Sequence, residues 1–274
     1  MRFFVPAALL LLPAVGLAQT SAPFHPYLDT SKKHIVMLGA TRQNADVELR
    51  ATRNALPEVG LELDDLGLDD RYNSWMAEYR YRINDRWGIF VGAFTFDVDG
   101  RREVTEEFNF EGTVFEAGAS LDSELQVDTY IADVMYTAYR SDRAELLLGA
   151  GLHAFDLDVA LEGRVFVGDL EATRSAADSQ LLAPLPNLRA QGFYAITPRL
   201  GAAATVGWLS ANYDDWDGDF LYLHARLHYR LKAGFGISAG YQFTDIDLTE
   251  EKSRGENEYD IRFDGPTVQL SYSF

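Results

Sequence analysis

Between Ala233 and Phe243 every second residue is apolar: Ala233, Phe235, Ile237, Ala239, Tyr241 and Phe243 share one face of an extended chain. The other face carries Gly234, Gly236, Ser238, Gly240, Gln242 and Thr244. Leu221, Leu223, Ala225, Leu227 and Tyr229 alternate in the same way with Tyr222, His224, Arg226, His228 and Arg230. Ten residue steps at about 3.4 Å, tilted by about 40°, cover roughly 26 Å, close to the ~25 Å apolar band of a membrane-spanning barrel. Beyond the N-terminus no stretch approaches the ~18 uninterrupted apolar residues of a spanning helix. A membrane crossing built from such segments has one physical solution, a closed β-barrel, because every backbone amide in hydrocarbon must pair within the protein. A soluble β-sandwich would also alternate, but its apolar faces would turn inward against each other.

Turn signals of two kinds punctuate the alternation. Tight turns are expected at Ile83-Asn84-Asp85-Arg86, Arg140-Ser141-Asp142-Arg143, Thr197-Pro198-Arg199 and Leu231-Lys232. They join strands expected at Arg71–Arg82 and Trp87–Val98, Thr129–Tyr139 and Ala144–Leu161, Leu188–Ile196 and Leu200–Ala211, and Phe220–Arg230 and Ala233–Leu248. A first strand near His34–Thr41 and a last near Ile261–Phe274 bring the count to ten. Longer segments at about 42–70, 99–128, 162–187, 212–219 and 249–260 read as loops at the opposite rim. Asp46–Thr52 alternates too, and Phe108–Phe110 with Thr113–Phe115 has hairpin character, so eight or twelve strands stay open. The fold class is all-β: a transmembrane antiparallel up-and-down β-barrel of about ten strands over residues 34–274.

The chain opens as an export signal. Met1-Arg2 is positive, and Phe3 to Leu17 is almost wholly apolar yet short for a span. Gly16-Leu17-Ala18 then leaves small residues where a signal peptidase cuts. Residues 1–18 are expected to be removed, leaving a Pro-bearing periplasmic lead-in over 19–33. The absence of cysteine rules out a disulfide framework and thiolate metal sites. A formal net charge of -18 argues against nucleic acid as a partner, because polyanions bind basic surfaces.

Two constellations carry candidate chemistry. By strand parity Glu78, Arg80, Arg82, Asp133, Glu145, Arg189, Arg226 and Arg230 turn into the lumen, with His153, His224 and His228 beside them. Charges enclosed in a narrow barrel must pair, since an isolated buried charge is costly, and they form either a channel constriction or a salt-bridged plug. Three strands then end alike, in Phe96-Asp97-Val98-Asp99, Phe155-Asp156-Leu157-Asp158 and Thr244-Asp245-Ile246-Asp247. Parity turns both aspartates of each pair outward just above the apolar band, and Asp214, Asp215, Asp217 and Asp219 add carboxylates at a further loop. Such oxygen ligands either hold Mg²⁺ or Ca²⁺ bridging to lipid phosphates or form a solvated acidic rim. No nucleophile–base pair is in evident reach, and Gly149-Ala150-Gly151 and Gly234-Phe235-Gly236 are strand glycines rather than a phosphate loop.

The chain ends in Val268-Gln269-Leu270-Ser271-Tyr272-Ser273-Phe274, with Leu270, Tyr272 and Phe274 on one face. Together with the export signal, the tight and long turns and the aromatic belts, this strand resembles the bacterial outer-membrane β-barrel proteins, broadly the porin-like and small-barrel families. The resemblance covers essentially the whole mature chain. It implies an integral outer-membrane protein with both termini in the periplasm, whose Leu270, Tyr272 and Phe274 are read by the barrel-assembly machinery. It implies contact with outer-membrane lipids and lipopolysaccharide, and no cofactor beyond a divalent cation bridging to the latter. The resemblance gives an architecture, and the lumen charges read as a structural barrel or a narrow passive channel whose lumen is either open or plugged. The alternatives are an enzyme acting on lipid A or peptides at the outer rim, and an adhesion or ligand-binding barrel acting through acidic loops. Ten-strand omptin-type proteases place an Asp pair opposite an Asp–His pair on that rim. Here the histidines fall away from the Asp pairs, which disfavours the enzyme reading.

Overall fold

The computed structural model describes residues 28–29, 31–53, 59–62, 71–104, 108–110, 113–115, 117–167, 170–179, 183–213, 216–252 and 255–274. The expected export signal, the lead-in up to Tyr27, and Asp214 and Asp215 lie outside them. In chain order the strands are β1 (His34–Arg53), β2 (Val59–Glu62), β3 (Arg71–Arg82), β4 (Trp87–Glu103), β5 (Phe108–Phe110), β6 (Thr113–Phe115) and β7 (Ser120–Arg140). They continue as β8 (Ala144–Val167), β9 (Leu170–Ser179), β10 (Ala183–Ala195), β11 (Leu200–Tyr213), β12 (Trp216–Arg230), β13 (Phe235–Lys252) and β14 (Gly255–Ser273).

Ten of these close a ring in the order β1-β3-β4-β7-β8-β10-β11-β12-β13-β14, every pair antiparallel. Closure comes from β14 returning to β1, from Ile35↔Ser273 to Arg53↔Gly255. On the far side β8 and β10 pair from Ala144↔Tyr194 to Phe155↔Ala183. No barrel edge is left open along these stretches, as hydrocarbon demands. The remaining strands sit outside the ring: β2 adds to the far end of β1, β9 to the far end of β8, and β5–β6 is a separate hairpin.

Each tight turn has its own local chemistry. Asn84 Oδ1 accepts from the Arg86 and Trp87 amides at 2.9 Å each, an Asx turn. Ser141 Oγ accepts from the Ala144 amide at 3.1 Å, and Thr197 Oγ1 accepts from the Leu200 amide at 2.9 Å. The fourth turn is longer than the expected Leu231-Lys232. Ala233 and Gly234 take left-handed φ values of 56° and 85°, so β13 starts at Phe235 rather than Ala233.

Around the ring the outward side chains nearest the tight turns are apolar. Trp87, Tyr139, Tyr194, Tyr229, Phe235 and Phe274 form one aromatic belt, and Trp75, Tyr130, Trp208 and Tyr241 a second. Trp75 is 69% exposed and Leu38 58%, values that only a hydrocarbon environment makes favourable over a whole circumference.

Beyond the second belt the pattern inverts without changing parity. Outward positions become Arg42, Asn44, Asp46, Asp97, Asp99, Asp128, Asp219, Asp245, Asp247 and Arg262, while Phe96, Val98, Leu121, Leu125, Leu161, Ile246 and Ile261 are buried inside. This inversion corrects the expected loops at 42–70, 99–128, 162–187, 212–219 and 249–260. Much of that sequence is strand, because water replaces lipid outside and the enclosed face becomes an apolar core. The 24 residues of β8 run about 80 Å, or about 60 Å along the axis at a tilt of ~40°, far more than the ~25 Å membrane band.

Candidate functional site: the lumen and its two rims

At the tight-turn rim the lead-in folds under the barrel. Leu28 packs in a buried cluster with Ile35 and Met37 of β1 and Phe193, Ala195 and Ala203 of β10 and β11. β1 and β10 lie on opposite walls of the ring, so this cluster spans the mouth. The Asp29 carbonyl accepts from Arg82 Nη1 at 2.8 Å, tying the segment to the charged layer above.

That layer consists of three carboxylates, each met by guanidinium groups. Glu145 receives Arg80 Nη2 at 2.6 Å, Arg82 Nη2 at 3.2 Å and Arg140 Nη2 at 2.6 Å. Glu78 receives Arg226 Nη1 at 3.3 Å and the Gln269 amide at 3.2 Å. The same Arg226 Nη1 donates to Gln269 Oε1 at 3.2 Å, and His224 Nε2 lies 3.0 Å from Thr267 Oγ1. Asp133 is paired with Arg189 and accepts from Asn187 Nδ2 at 3.1 Å. Arg189 also lies over the Phe90 ring, 4.5 Å from its centroid. These bonds cross the lumen: Arg226 on β12 and Glu78 on β3 are four strands apart in a ring of ten. Gly236 leaves room for this packing, since a β-carbon there would collide with the His228 ring.

Above the charges the lumen turns aromatic. Phe94 of β4 and Tyr222 of β12 stand on opposite walls with centroids 6.3 Å apart, and His153 meets the Phe220 ring at 4.3 Å. A cavity of about 40 Å³ lies here, lined by Gln43, Ser74, Gln242, His153, three threonines and aromatic and aliphatic neighbours, large enough for a few waters. It is roofed by Tyr72, Phe96 and Phe263, with Tyr72–Phe96 centroids at 3.9 Å and Phe96–Phe263 at 5.4 Å.

Of the residues assigned to the lumen, Glu78, Arg80, Arg82, Asp133, Glu145, Arg189 and Arg226 are buried and joined in these three clusters. Arg230 is the exception. It ends β12 at the tight-turn rim, half-buried, and lines a cleft there. Arg140 was not foreseen, because a register shift between Thr137 and Tyr139 reverses its parity and turns it onto Glu145. His153, His224 and His228 point inward, away from the outward aspartates.

The aspartates of the rim opposite the tight turns divide into separate fields. Asp97 and Asp99 on β4, and Asp156 and Asp158 on β8, flank β7, where Asp99 faces Glu124 and Asp156 faces Asp128. Asp245 and Asp247 lie on the other side of the ring, on β13. There Asp219, Asp247, Asp260 and Glu48 stand directly opposite one another across four neighbouring strands. Partial burial, and then the facing Asp260, Asp245 on the same strand and the facing Asp219, hold the Asp247 carboxyl above the usual range. Asp260 is raised for the same first reason. Asp245 accepts from Arg262 Nε at 3.1 Å. Among the described residues no group of three or more His, Asp or Glu is arranged to hold a metal ion. Further out, the Asp122 carboxylate bridges Arg101 and Arg164, which hold it below the usual range, Arg101 most strongly. The terminal Leu270, Tyr272 and Phe274 all face outward into the apolar band.

The fold is similar to that of the outer membrane protease OmpT from Escherichia coli, at a TM-score of 0.58 and 10% identity, covering 89% of this chain and 98% of that one. The translocator domain of autotransporter NalP from Neisseria meningitidis is matched at 0.48 and 12% identity, over 90% of this chain and 91% of that one. Ail of Yersinia pestis is matched at 0.30 and 11% identity, over 89% and 99%. No curated protein matches the sequence. The family model described as "Outer membrane protein beta-barrel domain" matches residues 7–274, and the chain belongs to that bacterial outer-membrane family.

Proposed function

We propose that this barrel is a closed structural element of the outer membrane, not an open passive channel, with its tight-turn rim and both termini in the periplasm. The observation that carries the reading is the contact of opposite walls at successive depths: Leu28 with Phe193 and Met37, Arg226 with Glu78, and Phe94 with Tyr222. A hydrated ion needs a continuous aqueous path, and small barrels fill their interior with side chains. The orientation rests on the turn asymmetry, since barrels of this class keep short turns on the periplasmic side. A planar-bilayer recording of the refolded protein tests it. Silence at all voltages is the expected result, and discrete conductance steps would replace this reading with a pore.

A second reading draws on the strand walls that continue past the membrane. With β9 paired beside the far end of β8, and acidic residues on the outer face, these walls offer a surface for adhesion or ligand capture. Binding of the cell surface or of a purified ligand should then survive lumen mutations and fail when residues beyond Asp158 on β8 are shortened.

A further inference from the structure

Outside the lumen, a cleft of about 720 Å³ opens on the tight-turn rim between the lead-in and the turns that precede β11 and β13. Its lining gathers Lys32, Arg199, Arg230 and Lys232 in a chain whose formal net charge is -18. Asp29 is the carboxylate of that lining, and its Oδ1 is occupied by the Ser31 amide at 3.0 Å and hydroxyl at 2.6 Å. Two of these cations, Arg199 and Arg230, are held side by side by the backbone. The Arg230 amide donates to the Arg199 carbonyl at 2.7 Å, which fixes the two turns side by side.

The second turn is closed by its own backbone. The Phe235 amide returns to the Lys232 carbonyl at 3.2 Å, and between them Ala233 and Gly234 are both left-handed. Ala233 is the one non-glycine residue with positive φ among the described residues, a conformation that an L side chain rarely adopts. The Phe235 amide is thus spent within the turn, and anion recognition in the cleft rests on the side-chain cations. On its membrane side the cleft is bounded by Tyr229 and Leu231, both facing the apolar band. One wall is therefore cationic and the other apolar.

We propose that this cleft binds a phosphate group at the membrane edge. Arg199 offers a fork that matches two phosphate oxygens, Lys32 and Lys232 supply point charges, and Tyr229 and Leu231 line the path an acyl chain would take. The chemistry is shared by a phospholipid headgroup and a soluble phosphate, and two arms of one experiment separate them.

The refolded protein is placed in zwitterionic micelles doped with phosphatidylglycerol, and retained lipid is read by native mass spectrometry. In parallel, inorganic phosphate is titrated in undoped micelles and followed by phosphorus NMR. R199Q/K232Q should lose roughly thirtyfold in affinity, the worth of two cations at about 1 kcal/mol each near a charged surface. R199K/K232R should keep most of it, and R42Q, on the outer side, all of it; heat-modifiable mobility confirms that each variant is folded. Phosphatidylglycerol retention without phosphate binding assigns the site to a lipid headgroup, and phosphate binding without lipid preference assigns it to a soluble phosphate. Equal behaviour of wild type and R199Q/K232Q in both arms overturns the proposal.

Discussion

His34 and Phe274 exchange both backbone hydrogen bonds at 3.0 Å and stack their rings 4.8 Å apart at an interplanar angle of 12°. This pair is the seam where the first strand meets the last. His34 Nδ1 also lies 2.8 Å from the Tyr79 hydroxyl, so the seam is anchored to β3. The Phe274→Ala variant keeps the backbone pair and loses the stack, a cost of about 1 kcal/mol. A urea midpoint in vesicles should fall accordingly, with a lower folding yield if the terminal aromatic is also read during assembly.

Glu145 is the most exposed to loss of a partner's charge balance, since Arg80, Arg82 and Arg140 all converge on it. Glu145→Gln leaves buried guanidinium groups facing one another, and should cost about 3–5 kcal/mol by denaturant unfolding. Asp122→Asn, which breaks pairs with Arg101 and Arg164 at the exposed outer wall, should cost under about 1 kcal/mol.

Removing residues 19–33 takes Leu28 out of the tight-turn mouth but leaves the Phe94–Tyr222 contact in place. The truncated barrel should melt at lower temperature and still pass no current. Conductance should appear only when F94A and Y222A are combined with E78A and R226A, which open the Arg226–Glu78 crossing, and current from the truncation alone would locate the seal at Leu28.

The acidic ladder gives the β13–β14 wall a pH dependence of definite sign. Asp247 and Asp260 are raised in the folded state, so their contribution is present at acidic pH and lost as pH rises through the raised values. Protection factors in this wall, taken after correction for intrinsic amide exchange, should rise on acidification, and D247N/D260N should flatten the response. Asp122 behaves oppositely. Its lowered carboxyl supports the β4–β7–β8 wall above the ordinary carboxylate range and loses that support as pH falls through the lowered value.

Because the rim aspartates lie in separate fields, a chelator should leave the unfolding midpoint of the purified protein unchanged. A drop that D245N/D247N abolishes would instead identify a bound divalent cation on β13.

The membrane-embedded half of the fold was legible because its period-two code has one meaning there, with Leu227 and Tyr229 outward and Arg226 and His228 inward. Strand ends at the tight turns follow from Asn84, Ser141 and Thr197 chemistry, and Arg71–Arg82 emerged with both bounds as expected. The far ends were misread as loops because polarity inverts there: Val98, Leu125 and Ile246 are enclosed, while the aspartates between them meet water. Parity identified the inward Glu78, Asp133, Glu145 and their arginines but not the pairing, which depends on walls brought together only by closure. Arg140 needed the register shift, and Leu28 needed the lead-in to fold back, neither of which leaves a periodic trace.

The reversal above Trp75 and Tyr130 acts as a waterline. Sinking the barrel would carry Asp97, Asp128 and Asp245 into hydrocarbon, and lifting it would strip lipid from Trp87 and Phe274. Neither displacement is cheap. A bilayer of mismatched thickness must therefore deform around this barrel while the barrel keeps its depth, and neighbouring lipids will be sorted by length at its perimeter.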